Sequence, residues 1–290
     1  MSRAVRLTLT PLLAGILVAG IVAGAWAALG VRAPARSGAW FSVVKTGEAD
    51  FTGSPTEPFF VLVVGNDARE GLGGARGDAV HLVGVNPAAK SATILDSPRD
   101  TNVSIPGQGG DKITHAFAYG GLPLIVDTVE QWVGVSIPYA ITTNFEGFRN
   151  MVDDIGGVDI TIQEPMHDSN SGTNFDPGPT RLDGHGALAF NRDRYSFGSG
   201  DLKRSENQGY FLISTLATLR SRNPSAAGTM RLLVSLVRNT QTEGLGLTEM
   251  FRLGSLALTI DPANIRNVLL PGDPSSLFAD LADDGLLQGH

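Results

Sequence analysis

Residues Ala79–Asp96 read AVHLVGVNPAAKSATILD. Two apolar runs rich in β-formers, AVHLVGVN (Ala79–Asn86) and SATILD (Ser91–Asp96), are separated only by PAAK. Two such runs joined by a short loop read as an antiparallel hairpin. A further short apolar run, FFVLVVG (Phe59–Gly65), precedes them. A sheet that contains a hairpin of this kind is mixed rather than purely parallel.

Downstream, helical and strand patterns alternate. LPLIVDTVEQWVG carries apolar residues at helical spacing, with Leu124, Ile125, Val129 and Trp132 on one face. PYAITT reads as a strand, NFEGFRNMVDDIGG as a helix ending on glycines, and VDITIQ as a strand. Residues Glu164–Thr180 are rich in Asp, Asn, Ser, Gly and Pro and are expected to form a long loop. Helical patterns return in LDGHGALAF and over Leu202–Arg220, Met230–Val237 and Leu247–Leu258, before a last strand in IRNVLLPG. The expected fold class is therefore α/β, a layered α-β-α sandwich around a mixed central sheet.

The N-terminus differs in kind. After MSRAVR the chain carries no charge from Leu7 to Val31. About 20 apolar residues cross a hydrocarbon core as a helix, so residues 7–31 are expected to be a single transmembrane helix. The rival is a cleaved signal peptide, with AWA (Ala25–Ala27) as a processing site. Arg3 and Arg6 on one side and Arg32 and Arg36 on the other leave the charge bias for a cytoplasmic N-terminus weak. The expected organisation is a short cytoplasmic tail (1–6), the helix (7–31), a Gly-, Ser- and Pro-containing linker (32–58) and one domain (59–290).

Composition removes several functions. The 290-residue chain has a net charge of −7, which argues against wrapping nucleic acid. Cysteine is absent, which excludes disulfides, zinc-thiolate sites and cysteine nucleophiles. GLGGARG lacks the third glycine of a dinucleotide loop, because Arg76 stands there and a strand pattern follows. There is no P-loop, no H-E-x-x-H and no G-x-S-x-G. The five histidines are scattered and read as satisfied or solvated rather than as a metal cluster.

What remains is a set of charges at element ends. DSPRDT (Asp96–Thr101) closes the third apolar run, and an Arg-Asp step there is either a solvated turn or part of a polyanion site. Other stretches favour the site. Asp67 and Arg69 follow the first strand in GNDAR, Arg76 and Asp78 precede the second in ARGD, and Arg99 and Asp100 follow the third. Lys112 lies in DKITHAFAYGG, Arg192 and Arg194 in FNRDR, and Asp201, Arg204 and Gln208 in GDLKRSENQ. Arginines gathered at one end of a sheet repel one another without counter-anions, and guanidinium groups recognise phosphate in bidentate fashion. Aspartates among them suit a Mg²⁺ ion bridging to a diphosphate.

These stretches, in this order and spacing, resemble the LytR-CpsA-Psr proteins of bacterial envelopes from about Phe59 to Pro271. VGNDAR, RGDAVHLVGVNP, SPRDT, DKITHAFAYGG, GFRNMVDDIGGVDITI, LDGHGALAFNRDR and GDLKRSENQ carry the resemblance. His185-Gly186 and Phe190-Asn191 depart from the family's usual pairs. The resemblance implies a cell-membrane-anchored, extracytoplasmic phosphotransferase. Such an enzyme moves a glycopolymer from a polyprenyl-pyrophosphate carrier onto a peptidoglycan sugar hydroxyl, forming a phosphodiester. Asp67 and Asp78 are assigned to Mg²⁺, and Arg76, Arg99, Arg192, Arg194 and Arg204 to the pyrophosphate, with Arg69, Lys112 and Gln208 supporting substrate. Asp100 and Asp201 are candidates either for partners of these arginines or for a general base. The resemblance also implies an apolar tunnel for the lipid tail. The rival readings are a polyprenyl-pyrophosphate phosphatase and a noncatalytic lipid-binding regulatory module, and teichoic acid, capsule and arabinogalactan are all open as the polymer.

Overall fold

The computed structural model describes residues 41–47, 56–66, 77–223, 225–269 and 285–286. The run expected to cross the membrane lies outside them, as do Asp67, Arg69 and Arg76. Among the described residues, no helix is long and apolar enough to span a membrane.

The hairpin that decided the fold class is present. β2 (Phe59–Asn66), β3 (Gly77–Asn86) and β4 (Ser91–Ser97) pair antiparallel in succession, with Asn86 opposite Ser91 across the PAAK turn. Lys90 closes that turn at a positive φ of 52°. These strands form the middle of a seven-stranded mixed sheet in the order β12-β1-β7-β2-β3-β4-β13. β1 is Phe41–Lys45, β7 Tyr139–Asn144, β12 Thr240–Glu243 and β13 Ile265–Leu269. β7 runs parallel to β2, and β13 parallel to β4.

Two expectations are corrected. The segment read as linker contributes β1, which pairs antiparallel with β7 and parallel with β12; the two neighbouring strands take the short FSVVK stretch into the sheet. The stretch read as a long loop holds a hairpin of β9 (Met166–Asp168) and β10 (Thr173–Phe175), followed by β11 (Gly178–Leu182) on β8 (Val158–Ile162). Its polar residues build that hairpin's turn: the Asp168 carboxylate accepts from Asn170 N, and Asp168 N donates to Thr173 Oγ1.

The two faces of the sheet are covered differently. One face presents Leu62, Val64, Val80, Leu82 and Leu95 to α1 (Ile113–Val133), whose Ile125, Val126 and Val129 close a dry core. α1 follows the small hairpin of β5 (Asn102–Ile105) and β6 (Gly109–Lys112) and breaks at Gly120–Gly121, where Gly121 takes a φ of 63°. The opposite face lies under α4 (Asp201–Arg222), α5 (Ala226–Arg238) and α6 (Leu247–Thr259). Strand β2 shows the asymmetry: Leu62 and Val64 are fully buried, whereas Val61 and Val63, pointing the other way, are only half-buried. They face a hollow. α2 (Phe145–Asp154) and α3 (Gly184–Arg192) pack with β8, β9 and β11 in a second apolar cluster beside the end of the sheet, closed by Phe211 of α4.

Candidate active site

A cavity of 220 Å³ opens at the end of the sheet where β2, β4 and β7 finish and β3 begins. Asp78, Arg99, Arg192, Arg194, Arg204 and Gln208 line it. Each is brought there by a local device. Asp78 is the second residue of β3, and Arg99 follows β4, with its carbonyl accepting from Thr114 Oγ1 at 3.0 Å. Arg192 ends α3, a helix started by Asp183, whose carboxylate accepts from Gly186 N at 2.7 Å. Cations at a helix C-terminus are favoured by the helix dipole. Arg192 also lies 5.2 Å over the Phe145 ring at the start of α2. Gln208, one turn beyond Arg204 on α4, donates to the carbonyl of Asn191 at 2.8 Å and so ties α4 to α3.

The electrostatics are those of a half-neutralised cation cluster. Asp201 Oδ1 accepts from Arg194 at 2.6 and 3.2 Å and lies 2.7 Å from Arg204 Nη2. Arg99 reaches Asp78 only at 3.4 Å and Asp100 at 3.7 Å. The side-chain Nε of Arg99 and of Arg204 have no hydrogen-bond acceptor among the described residues, although both atoms are buried. Burial lowers the Arg204 pKa to about 10; Arg194 and Arg99 push the same way and Asp201 opposes them. A buried guanidinium with unused donors and like-charged neighbours is stabilised by a bound anion.

Three of the residues read from the sequence, Asp100, Lys112 and Asp201, stand beside the cavity rather than on it. Lys112 Nζ donates to Asp100 Oδ1 at 2.8 Å, and this bond, aided by the nearby Arg99 and opposed by burial, sets the Asp100 carboxyl below its ordinary range. Asp100 is thus the partner of Lys112, and Asp201 the partner of two arginines. Held below its ordinary range, the Asp100 carboxylate is a poor proton acceptor.

Sequence reasoning missed His81. It sits in β3, is 4% exposed, lines the same cavity, and its Nδ1 lies 2.6 Å from Asp96 Oδ1. Asp96 is fully buried, and desolvation raises its carboxyl above the ordinary value in spite of the His81 bond. The signal was in the register: counting back from PAAK sets His81 opposite Asp96.

Behind this cavity lies a second of 330 Å³, between the sheet and α4–α6. Val61, Val83, Ala92, Ile94, Leu216 and Leu253 are among its walls, and almost all of its lining is apolar. Val63 borders both cavities, and α4 roofs both with Leu212 and Leu216, one helical turn apart. Together they form a polar mouth and an apolar hollow, a site shaped for an anion that carries a long apolar tail.

The residues that fit a metal are limited. Among the described residues Asp78 Oδ1 is held only by the long contact to Arg99, so this carboxylate can serve a hard cation. Among the described residues no group of three or more His, Asp or Glu side chains could hold one unaided. A cation there would need oxygens from the bound anion as well.

An arginine mouth at the end of a mixed sheet, backed by an apolar hollow, has the shape and charge that suit an amphiphilic polyanion. Residues 39–285 match the LytR_cpsA_psr family, and the chain belongs to it. It is 34% identical over 190 residues to the polyisoprenyl-teichoic acid–peptidoglycan teichoic acid transferase TagU of Enterococcus faecalis, covering 64% of this chain and 62% of that one. To the TagU of Bacillus subtilis it is 39% identical over 153 residues, covering 52% and 49%. The match thus spans about half to three-fifths of these curated relatives. Among solved structures, the LytR-CPS2A-psr family protein YwtF (TagT) with bound octaprenyl pyrophosphate lipid superimposes with a TM-score of 0.61 at 25% identity. That match covers 88% of this chain and 99% of the other.

Proposed function

We propose that this chain is a phosphotransferase that moves a glycopolymer from a polyprenyl-pyrophosphate carrier onto a sugar hydroxyl of peptidoglycan. The observation that carries the reading is the buried arginine donors without acceptors among the described residues, at a mouth that adjoins an apolar hollow along Val63. The pyrophosphate fits the first and the polyprenyl chain the second. The named ligand of the TagT structure and the named activity of the TagU relatives support it.

In this reading Arg99, Arg192, Arg194 and Arg204 grip the pyrophosphate, and Gln208 holds α3 and α4 in register beneath it. Asp201 aims two of the arginines. The acceptor hydroxyl attacks the phosphorus that bears the polymer. A new O–P bond forms as the bridging O–P bond breaks, polyprenyl phosphate departs, and the hydroxyl proton passes to solvent or to a phosphate oxygen. Charge moves onto the leaving phosphate, where preorganised cations stabilise it without reorganisation. Asp78, with Asp67, would hold Mg²⁺, which when bound neutralises phosphate charge. Arg69 and Arg76 belong to the segment between Asn66 and Gly77 that joins β2 and β3 and would add to the same anion. Residues 7–31 would anchor the chain in the membrane with the domain outside the cytoplasm, so protease added to intact spheroplasts should digest it.

The test is a reconstituted transfer with the full chain. Polyprenyl-pyrophosphate-linked teichoic acid, capsule or arabinogalactan precursor is supplied with and without peptidoglycan. The expected product is a phosphodiester-linked glycan that requires the acceptor. Phosphate release from carrier alone, unchanged by peptidoglycan, would establish the phosphatase instead. Binding without turnover would establish the regulatory module.

A further inference from the structure

One buried polar pair has no part in the mechanism above. His81 and Asp96 face each other across β3 and β4 on the side of the sheet that carries the hollow. Around them that face is aliphatic, with Val63 beside His81 on β2 and Val83 and Ile94 further along. Burying a hydrogen-bonded polar pair is at best neutral for stability compared with apolar residues of the same volume. Packing alone therefore gives no reason for it.

Its position gives one. The Nδ1 of His81 is taken by Asp96, and Nε2 has no protein partner among the described residues. The same ring lines the arginine cavity. The cross-strand neighbour of His81 is Val63, the residue common to both cavities. His81 therefore stands at the throat, where the polar mouth gives way to the hollow. Asp96 fixes the ring at Nδ1 and turns the Nε2 edge to the ligand, where an Nε2–H can donate to a phosphate oxygen.

We propose that His81 is a ligand-contacting residue whose Nε2 edge meets the phosphate next to the isoprenyl chain, while the arginines hold the rest of the pyrophosphate. This rests on the carrier reading above and deepens it. The lipid-side phosphate is the leaving group, so the contact bears on affinity for the carrier and on its departure. Asp96 is a positioning residue, acting through His81.

The two ring nitrogens can be separated by substitution. His81→Asn puts an amide N–H near the Nδ1 position and keeps the bond to Asp96, but removes the Nε2 edge. His81→Gln reaches the Nε2 position. Binding of geranylgeranyl pyrophosphate, geranylgeranyl monophosphate and geranylgeraniol to the full chain is measured by calorimetry, with thermal unfolding as the check on folding. The expected result for His81→Asn is a loss of about tenfold in affinity for both phosphates and none for the alcohol. His81→Gln should retain most of the phosphate affinity. If His81→Asn does not fold, His81→Leu with Asp96→Leu removes both halves of the pair and carries the same expectation. Phosphate affinities equal to wild type in the folded variant, or an equal loss for the alcohol, would overturn the proposal and leave His81 as wall. Wild-type protein that binds neither phosphate would instead overturn the carrier reading.

Discussion

Arg99 is the residue at which a turn and a binding site can be told apart. Its Nε is buried without an acceptor, and its two carboxylate neighbours are no closer than 3.4 Å. A charge-assisted contact in such a place is worth roughly 1.5–3 kcal/mol, so Arg99→Ala should slow transfer by about tenfold to a hundredfold. Arg99→Lys should also impair it, since lysine keeps the charge and loses the planar fork. The Arg99→Ala, Arg194→Ala pair should be non-additive if both hold one diphosphate; additive losses in a double-mutant cycle would count against a shared anion. Asp78→Asn should flatten the dependence of transfer on Mg²⁺ without unfolding the chain, and an unchanged Mg²⁺ titration would remove the assignment. Asp96 makes a prediction about pH. Its carboxyl titrates above its ordinary 3.8 because it is buried, so the native state holds a proton that the unfolded chain has released. That contribution to stability is complete below pH 3.8 and is lost as pH rises through the raised value. Asp96→Asn does not titrate, so the melting temperature of wild type should fall relative to the variant between pH 4 and 7. A constant gap would mean the carboxyl is ionised throughout.

The elements around the mouth are held by one close approach. Gly209 of α4 lies against the end of β4 and β13, where a Cβ would collide with Asn267 Oδ1 and stand 2.6 Å from Asp96 Oδ2. Asn267 in turn donates to the carbonyl of Glu206 at 3.0 Å, stitching β13 to α4. Gly209→Ala should cost about 1–3 kcal/mol or more, read as a lowered denaturation midpoint, because α4 must lift from the sheet. The same variant should lose affinity for inorganic pyrophosphate, since Arg204 and Gln208 ride on that helix. At this scale the sequence was most legible where a period was strong: the β3–β4 hairpin and α2 through α6 follow the apolar spacing and the caps. It was least legible where a short piece is held by distant partners. FSVVK becomes a strand only because β7 and β12 flank it, pairing residues as distant as Lys45 with Tyr139 and Val44 with Glu243, which no local pattern records. TQTE, all polar, is an edge strand for the same reason. The arginines could be named from their places at element ends. That Asp201 serves two of them, and that Lys112 takes Asp100 away from the mouth, depended on side-chain reach in the folded chain.

Across the whole molecule, the sheet separates a filled layer from an unfilled one. α1 closes its side with fully buried residues, whereas the walls of the 330 Å³ hollow under α4–α6 include aliphatic groups left half-buried, Val61, Val63 and Val83 among them. Filling it from the sheet should separate tail from head: Ala92→Phe should abolish binding of a polyprenyl pyrophosphate while inorganic pyrophosphate still binds. Equal loss of both in a folded variant would mean that the hollow is not the tail's site. Aliphatic surface left uncovered around a hollow of this size forgoes on the order of several kcal/mol of burial, a large share of what a domain has to spare. A lipid that enters it takes the place of missing core. At a hundred times its dissociation constant it would add about 2.7 kcal/mol, roughly a hundredfold fewer unfolded molecules. If the domain stands outside the membrane as proposed, its survival among proteases that cut open chains would then follow how often a carrier is at hand. A cell short of loaded carrier would hold fewer of the proteins that use it, with no regulator other than an incomplete interior.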